Sequence, residues 1–219
     1  MVGKTNNVNI ETATNFFNGK FSKAIPQNCG CHSYPELLQA ALLEGDPYVE
    51  RFTAQPRILL MTYVWKKRVV QYRPDFLIYT QNAKKKGLVI EVKSDASYDS
   101  FIVGKATLIK PWCESKGYDY VVKKNSEILD HQILAENWLH ISRYLISAES
   151  YANMADISRR LYELIQDHEH LSLGKILNHY AHLPSNWVRA GLYKLLQQGV
   201  IQADLGQEPV NSRTLIYHA

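Results

Sequence analysis

Along Leu88-Val89-Ile90-Glu91-Val92-Lys93, read as a strand, side chains alternate between two faces with a two-residue period. Leu88, Ile90 and Val92 face one way, into a core, and Val89, Glu91 and Lys93 face the other. Charge inside an otherwise apolar strand is costly unless it is paired or binds a metal. Upstream stands Tyr72-Arg73-Pro74-Asp75-Phe76, with fifteen positions between Asp75 and Glu91. Pro74 cannot donate a ladder hydrogen bond, so the strand beside Asp75 is expected to be interrupted or at an edge. Such an irregularity can aim Asp75 toward Glu91. Carboxylates are the hard oxygen donors that Mg²⁺ prefers, and a nearby lysine can orient a water or neutralise charge growing on a phosphate. The pattern points to metal-assisted phosphodiester hydrolysis.

Glu36, in Ser33-Tyr34-Pro35-Glu36, is a candidate third carboxylate. An acid in the first turn of a helix is also explained by the helix dipole alone. Glu44 and Glu50 compete for the same role, and Asp95 reads either as an outer acid of the site or as a strand-end surface residue. The plainer alternative for the whole set is a surface Asp and an exposed Glu/Lys pair on an amphipathic strand.

Outward from this stretch, Tyr34–Glu44 has helical spacing with Leu37, Leu38, Ala41 and Leu42 on one face and Ser33 as its cap. Strands are expected over 57–64, over 69–79 after a Lys66-Lys67 turn, over 87–93, and over 118–123. A helix is expected within 100–116, kinked or split by Pro111. This order fits an α/β core closing near residue 125. Residues 1–22 are polar and Asn-rich and read as a flexible arm. From Leu129 onward the spacing is helical, over 131–145, 152–168, 173–181 and 185–198, with the last helix capped at Ser185 or Asn186. A small hairpin follows, at 200–203 and 213–217. The expected division is an arm (1–22), a nuclease-type core (23–126) and a helical, winged-helix-like unit (127–219).

Hydrophobic residues make up 46% of the 219 and charged residues 21%, which suits a folded chain. A net charge of +4 excludes a general polycation, although basic residues cluster at Lys66-Lys67-Arg68, Lys84-Lys85-Lys86 and Lys123-Lys124. Such runs are solvated turns unless they share a face with the site. Three cysteines cannot all pair, and no apolar run approaches the ~20 residues of a membrane helix, so the expected setting is a reducing cytoplasm with no membrane contact. Cys29-Gly30-Cys31-His32 resembles half of a zinc site but lacks a second ligand pair, and a loop leading to the Glu36 helix is the preferred reading. His168, His170, His179 and His182 read as a polar surface between helices. Trp187, Leu192, Tyr193 and Leu196 read as core.

Pro74-Asp75 followed by Glu91-Val92-Lys93 resembles the PD-(D/E)xK nuclease superfamily, whose motif is short. Gly19-Lys20-Phe21-Ser22-Lys23, Ser33-Tyr34-Pro35-Glu36, Asp46-Pro47-Tyr48-Val49, Phe52, Gln55-Pro56 and Tyr72-Arg73-Pro74-Asp75-Phe76 together resemble the TnsA family, the endonuclease subunits of heteromeric transposases. The resemblance covers roughly residues 19–125. It implies a restriction-endonuclease-like mixed sheet, metal-binding acids at Glu36, Asp75 and Glu91, and a catalytic lysine at Lys93. It implies Mg²⁺ as cofactor, with Mn²⁺ able to substitute, and cutting of the 5′ strand at transposon ends. The implied partners are transposon-end double-stranded DNA, a TnsB-like transposase and a TnsC-like AAA+ ATPase, in a bacterial cytoplasm and at the nucleoid during transposition. The other readings are a restriction or repair endonuclease of the same fold, and a non-catalytic DNA-binding adaptor. The C-terminal unit is expected to dock partner subunits: 185–198 carries only Arg189 and Lys194 as basic residues, and the 204–212 loop carries Asp204 and Glu208.

Overall fold

The computed structural model describes residues 16–81, 85–151 and 153–219. Its central sheet is mixed. β3 (Val49–Ala54), β6 (Phe76–Thr80), β7 (Gly87–Lys93) and β8 (Tyr118–Lys124) lie side by side in the order β3-β6-β7-β8. The first two pairings are antiparallel and the last is parallel. The parallel step needs a crossover, supplied by α2 (Asp95–Val103) and α3 (Ala106–Ser115).

Each face of this sheet is covered. Ile90 and Val92 of β7 and Phe76 and Ile78 of β6 pack with α1 (Tyr34–Gly45), while Val89 and Leu77 pack with Phe101, Ile109 and Cys113 of α2 and α3. The expected alternation along 88–93 is therefore realised. α1 is nearly buried all round, because the sheet lies on one side of it and a second helix on the other. Ser33 caps α1 as expected, its hydroxyl accepting from the Glu36 N–H.

Three local expectations change. The stretch 57–64 is a 3₁₀ turn at Arg57–Leu59 followed by β4 (Met61–Trp65). The stretch 69–79 is two strands, β5 (Arg68–Tyr72) and β6, because Pro74 ends the ladder. β4 and β5 form a hairpin of their own outside the main sheet. In 100–116 the break falls at Gly104, not at Pro111, which sits inside α3. The Thr107 carbonyl, which the missing Pro111 N–H cannot reach, belongs to an exposed residue, so water can satisfy it.

Residues 1–15 of the expected arm lie outside the described residues. The remainder is ordered: β1 (Phe17–Lys20) pairs with β2 (Asn28–Cys31), and Phe21 is fully buried. Asn18, Lys20 and Ser22 among 16–22 hid a strand whose partner follows a short loop. β2 also replaces the loop expected at Cys29-Gly30-Cys31, because Cys29 and Cys31 point into the core.

After α4 (Asn125–Leu129) come α5 (Gln132–Ala148), α6 (Met154–Gln166), β9 (Leu171–Ser172), α7 (Leu173–His179), α8 (Ser185–Gln197), β10 (Ile201–Ala203) and β11 (Leu215–His218). The last strands form a three-stranded antiparallel sheet, β10-β11-β9. The cap of α8 is Pro184, one residue before the expected Ser185, and Asn186 instead bonds the Tyr151 hydroxyl. Trp187 is half-buried, and Leu192, Tyr193 and Leu196 are core. No helix among the described residues is long and apolar enough to cross a membrane.

One hydrophobic cluster runs without a break from Phe21 to Ile216, across the expected division at 126/127. Trp138 of α5 lies on Gly45 so closely that a Cβ there would come 2.2 Å from the indole. Trp138→Ala should therefore cost about 3–5 kcal/mol, as for large-to-small changes in cores, and lower the midpoint of a single cooperative transition in urea. Two separable transitions, with only one displaced, would show instead that the halves fold independently.

Candidate active site

The β6–β7 register pairs Phe76 with Ile90 and Leu77 with Val89, so one further step sets Asp75 opposite Glu91. Both point to the face occupied by Val89 and Lys93. Asp75 Oδ2 accepts from the Val92 N–H at 2.8 Å. Pro74 thus does two things: it ends the ladder, and it frees the next residue to bond the neighbouring strand through its side chain. Glu91 is almost wholly buried, its Oε1 in direct contact with the Lys93 ammonium and its Oε2 accepting from the Tyr72 hydroxyl at 2.6 Å. Lys93 also donates to the Val92 carbonyl at 3.1 Å, and its ammonium lies 4.9 Å from the Phe101 ring centroid.

Two of these holding residues are invisible as site residues in the sequence. Tyr72 and Gln55 lie within the quoted segments, but only the fold shows what they touch. Gln55 Nε2 donates to Asp75 Oδ1 at 3.1 Å, and its backbone N–H donates to the Asp75 carbonyl at 2.8 Å. It does so from a left-handed conformation, φ 49°, which costs a non-glycine residue about 1 kcal/mol or more. The usable signal was position: Gln55 closes β3, and Tyr72 closes β5, immediately before the Pro74 break.

The electrostatics are those of crowded acids. Burial, then the Glu91 charge, pushes the Asp75 carboxyl up to about 8; Lys93 and the Val92 N–H oppose this and Glu36 adds to it. Burial likewise raises Glu91 against the pull of Lys93 and the Tyr72 hydroxyl. Burial pulls the Lys93 amine down, but attraction to Glu91, Asp75 and Glu36 outweighs it, so the ammonium is held firmly protonated. Burial and the Glu91 charge drive the Tyr72 hydroxyl far above its usual range, which keeps it a donor.

Glu36 is close enough for its charge to act on Asp75, Glu91 and Lys93, yet both its oxygens serve its own helix start. Oε2 accepts from the His32 N–H and Oε1 from the Ser33 hydroxyl, each at 2.9 Å. The competing acids lie elsewhere. Glu44 is fully buried and accepts from Ser22, Lys23 and Gln197, joining three segments. Glu50 is exposed, and Asp95 binds the Ser126 backbone and hydroxyl at the start of α4. Burial raises the Cys29 and Cys31 thiols, Cys29 to about 12. All four clustered histidines are exposed. Among the described residues no three His, Cys, Asp or Glu side chains are arranged to hold a metal ion together.

Residues 46–125 match the family described as TnsA-like endonuclease N terminal. Over this stretch the chain is TnsA-like. The match contains Asp75, Glu91 and Lys93, along with Gln55 and Tyr72, and it points to a nuclease. Glu36 and the helical half lie outside it. No curated protein matches the chain.

A buried acid with a raised pKa stabilises the fold fully below the ordinary carboxylate range and loses that contribution as pH rises through its folded pKa. In a chelator, stability should therefore fall by a few kcal/mol between pH 5 and pH 8, since one pKa unit is worth about 1.4 kcal/mol. Asp75→Asn, which keeps size and hydrogen bonding, should flatten that slope in urea titrations. An unchanged slope would place the burdened charge elsewhere. Tyr72→Phe should cost about 2 kcal/mol, the scale of a lost hydrogen bond to a charged group, with the loss read from the same titrations.

Proposed function

We propose that this chain is the Mg²⁺-dependent endonuclease subunit of a heteromeric transposase, hydrolysing the 5′ strand at transposon ends. One observation carries the reading: a TnsA-like segment whose fold sets Asp75 opposite Glu91, with Lys93 on the same face, and Glu91 and Lys93 lining a groove of about 410 Å³.

The residues fit a divalent cation by chemistry. Asp75 and Glu91 are buried carboxylates, hard oxygen donors on neighbouring strands, with the Lys93 ammonium on Glu91 and the Glu36 charge near enough to act on both. Asp75 and Glu91 would hold the metal, with Mn²⁺ able to replace Mg²⁺. Glu36 would join only by giving up the His32 or Ser33 bond at its helix start. A cation bound there supplies charge to polarise the phosphate and acidify its attacking water. The chain's own residues do the rest. Gln55 and the Val92 N–H fix both Asp75 oxygens. Tyr72 fixes one Glu91 oxygen, leaving the other toward Lys93. The Lys93 ammonium, facing the groove, is placed to balance the negative charge that grows on the phosphate.

The partners proposed are transposon-end DNA, a TnsB-like transposase and a TnsC-like AAA+ ATPase, with residues 127–219 as their docking unit. The order α6-β9-α7-α8-β10-β11 supports a winged-helix-like reading of that unit, but two observations speak against its reading DNA. Of α8, only Ser185, Asn186 and Lys194 are exposed, so no face of it is free for a groove. The 204–212 loop is tied down by Asn137 of α5, which bonds the carbonyls of Leu205 and Glu208 and the Val210 N–H at 2.8–2.9 Å.

Strand-specific cleavage of transposon-end DNA, with and without the partner subunits, tests the reading. Asp75→Ala and Glu91→Ala should abolish 5′-strand cutting in Mg²⁺. Lys93→Ala should slow it by ~10²-fold or more, as for loss of one electrostatic stabiliser, with DNA binding barely changed. Cutting at the normal rate by Asp75→Ala would refute the assignment.

A further inference from the structure

The β4–β5 hairpin stands apart from the main sheet and walls the groove above Glu91 and Lys93. Its chain context is unusual. Residues 51–74 hold Arg51, Arg57, Lys66, Lys67, Arg68 and Arg73, and not one Asp or Glu. Among the described residues, none of Arg57, Lys66, Lys67, Arg68, Arg73 or Lys105 makes an ion pair.

The hairpin has two different faces. Its inner face, with Tyr63, Trp65 and Tyr72, lines the groove, and the Trp65 ring reaches across to Gly104 at the α2–α3 break. Lys66 stands on this wall, and Lys105 lines the opposite side with Ser97 and Ser100. The outer face shows Val64 and Val69, paired across the strands and both exposed, with a second recess of about 480 Å³ lined by Arg57 and Arg73. Cations thus flank the hairpin on both sides.

Its tip is strained. Lys66 and Lys67 form the two-residue turn, with φ values of 48° and 64°. Primed turns of this kind suit the twist of a hairpin but are normally made by Asn-Gly or Gly. Two lysines there cost stability and place two like charges side by side. Among the described residues neither lysine makes an ion pair that would offset this.

We infer that the β4–β5 hairpin grips duplex DNA, with Lys66 and Lys67 contacting backbone phosphates next to the site. A two-stranded ribbon fits the major groove of B-DNA. The flanking Arg57, Arg73 and Lys105 meet the phosphates on either side of a ribbon so placed. The inference deepens the nuclease reading and rests on it for the identity of the ligand.

The test is the double substitution Lys66→Asn, Lys67→Gly in the full chain, which retains the turn and removes both charges. Binding to a 30-base-pair DNA duplex is measured in a chelator, where cutting is off, across a range of salt. The slope of log K against log salt should fall in magnitude by about 2, since each phosphate contact contributes about 0.9. Affinity at low salt should drop at least tenfold, while the melting temperature stays the same or rises. Wild-type affinity and slope in the variant would overturn the inference, as would a wild-type chain that binds no duplex or that prefers an acidic polypeptide. Hairpin-dependent binding by a chain that cuts nothing even with its partners would refute the nuclease reading and leave this one standing. Cutting that survives with hairpin-independent binding would do the reverse.

Discussion

Two carboxylates facing each other across neighbouring strands, out of water, are the constraint on which this structure turns. Asp75 and Glu91 would separate or protonate if left alone, because burial penalises each charge and a neighbouring carboxylate adds to it, Glu91 and Glu36 for Asp75 and Glu36 for Glu91. What holds them is a set of four donors from three strands: Gln55 at the end of β3, Tyr72 at the end of β5, and the Val92 N–H and Lys93 of β7. Each requires a particular piece of backbone. Gln55 needs its left-handed turn, Tyr72 needs β5 to leave the sheet before Pro74, and Val92 needs the β6–β7 register. The main sheet and its detached hairpin are the arrangement that satisfies all four.

The helices then close what the strands leave open. α1 covers the Ile90–Val92 face, and α2 and α3 cover the Val89 face while carrying the chain back to a parallel β8. Asp95 binds Ser126, so the start of α2 and the start of α4 are tied beside the end of β7. Phe101 of α2 sets an aromatic ring under the Lys93 ammonium, which limits how far that amine can swing from Glu91.

How much of this was legible in the sequence depends on the range over which each signal acts. The 88–93 strand was readable because a period of two needs only six residues, and the α1 cap because Ser33 and Glu36 are neighbours in the chain. That Asp75, Glu91 and Lys93 share one face was readable from the strand period and the Pro74 break. The supports of this trio were not. Gln55 and Tyr72 carry no charge and no periodic signal, and their partners lie 20 and 19 residues away. The helix break was misplaced because Pro111 is the stronger local breaker, yet its unpaired carbonyl sits where water reaches it, while Gly104 must pass beneath Trp65. β1 was missed because its pairing with β2, not its own composition, makes it a strand.

Packing is continuous across residue 126. α1 has Glu36 in its first turn and Glu44 near its end, about 12 Å apart at 1.5 Å per residue. Glu44 is fully buried and accepts from Ser22, Lys23 and Gln197 of α8, so it binds the N-terminal segment, α1 and the helical half at one point. A buried carboxylate is tolerated only when such donors are in place, and removing one partner of a buried charge is far costlier than losing a surface contact. Trp138 of α5 seals the same end of α1 against Gly45. The direction of α1 is thus set jointly by both halves, and with it the position of Glu36 beside Asp75. The helical half is part of the frame that positions α1, and with it Glu36 in its first turn.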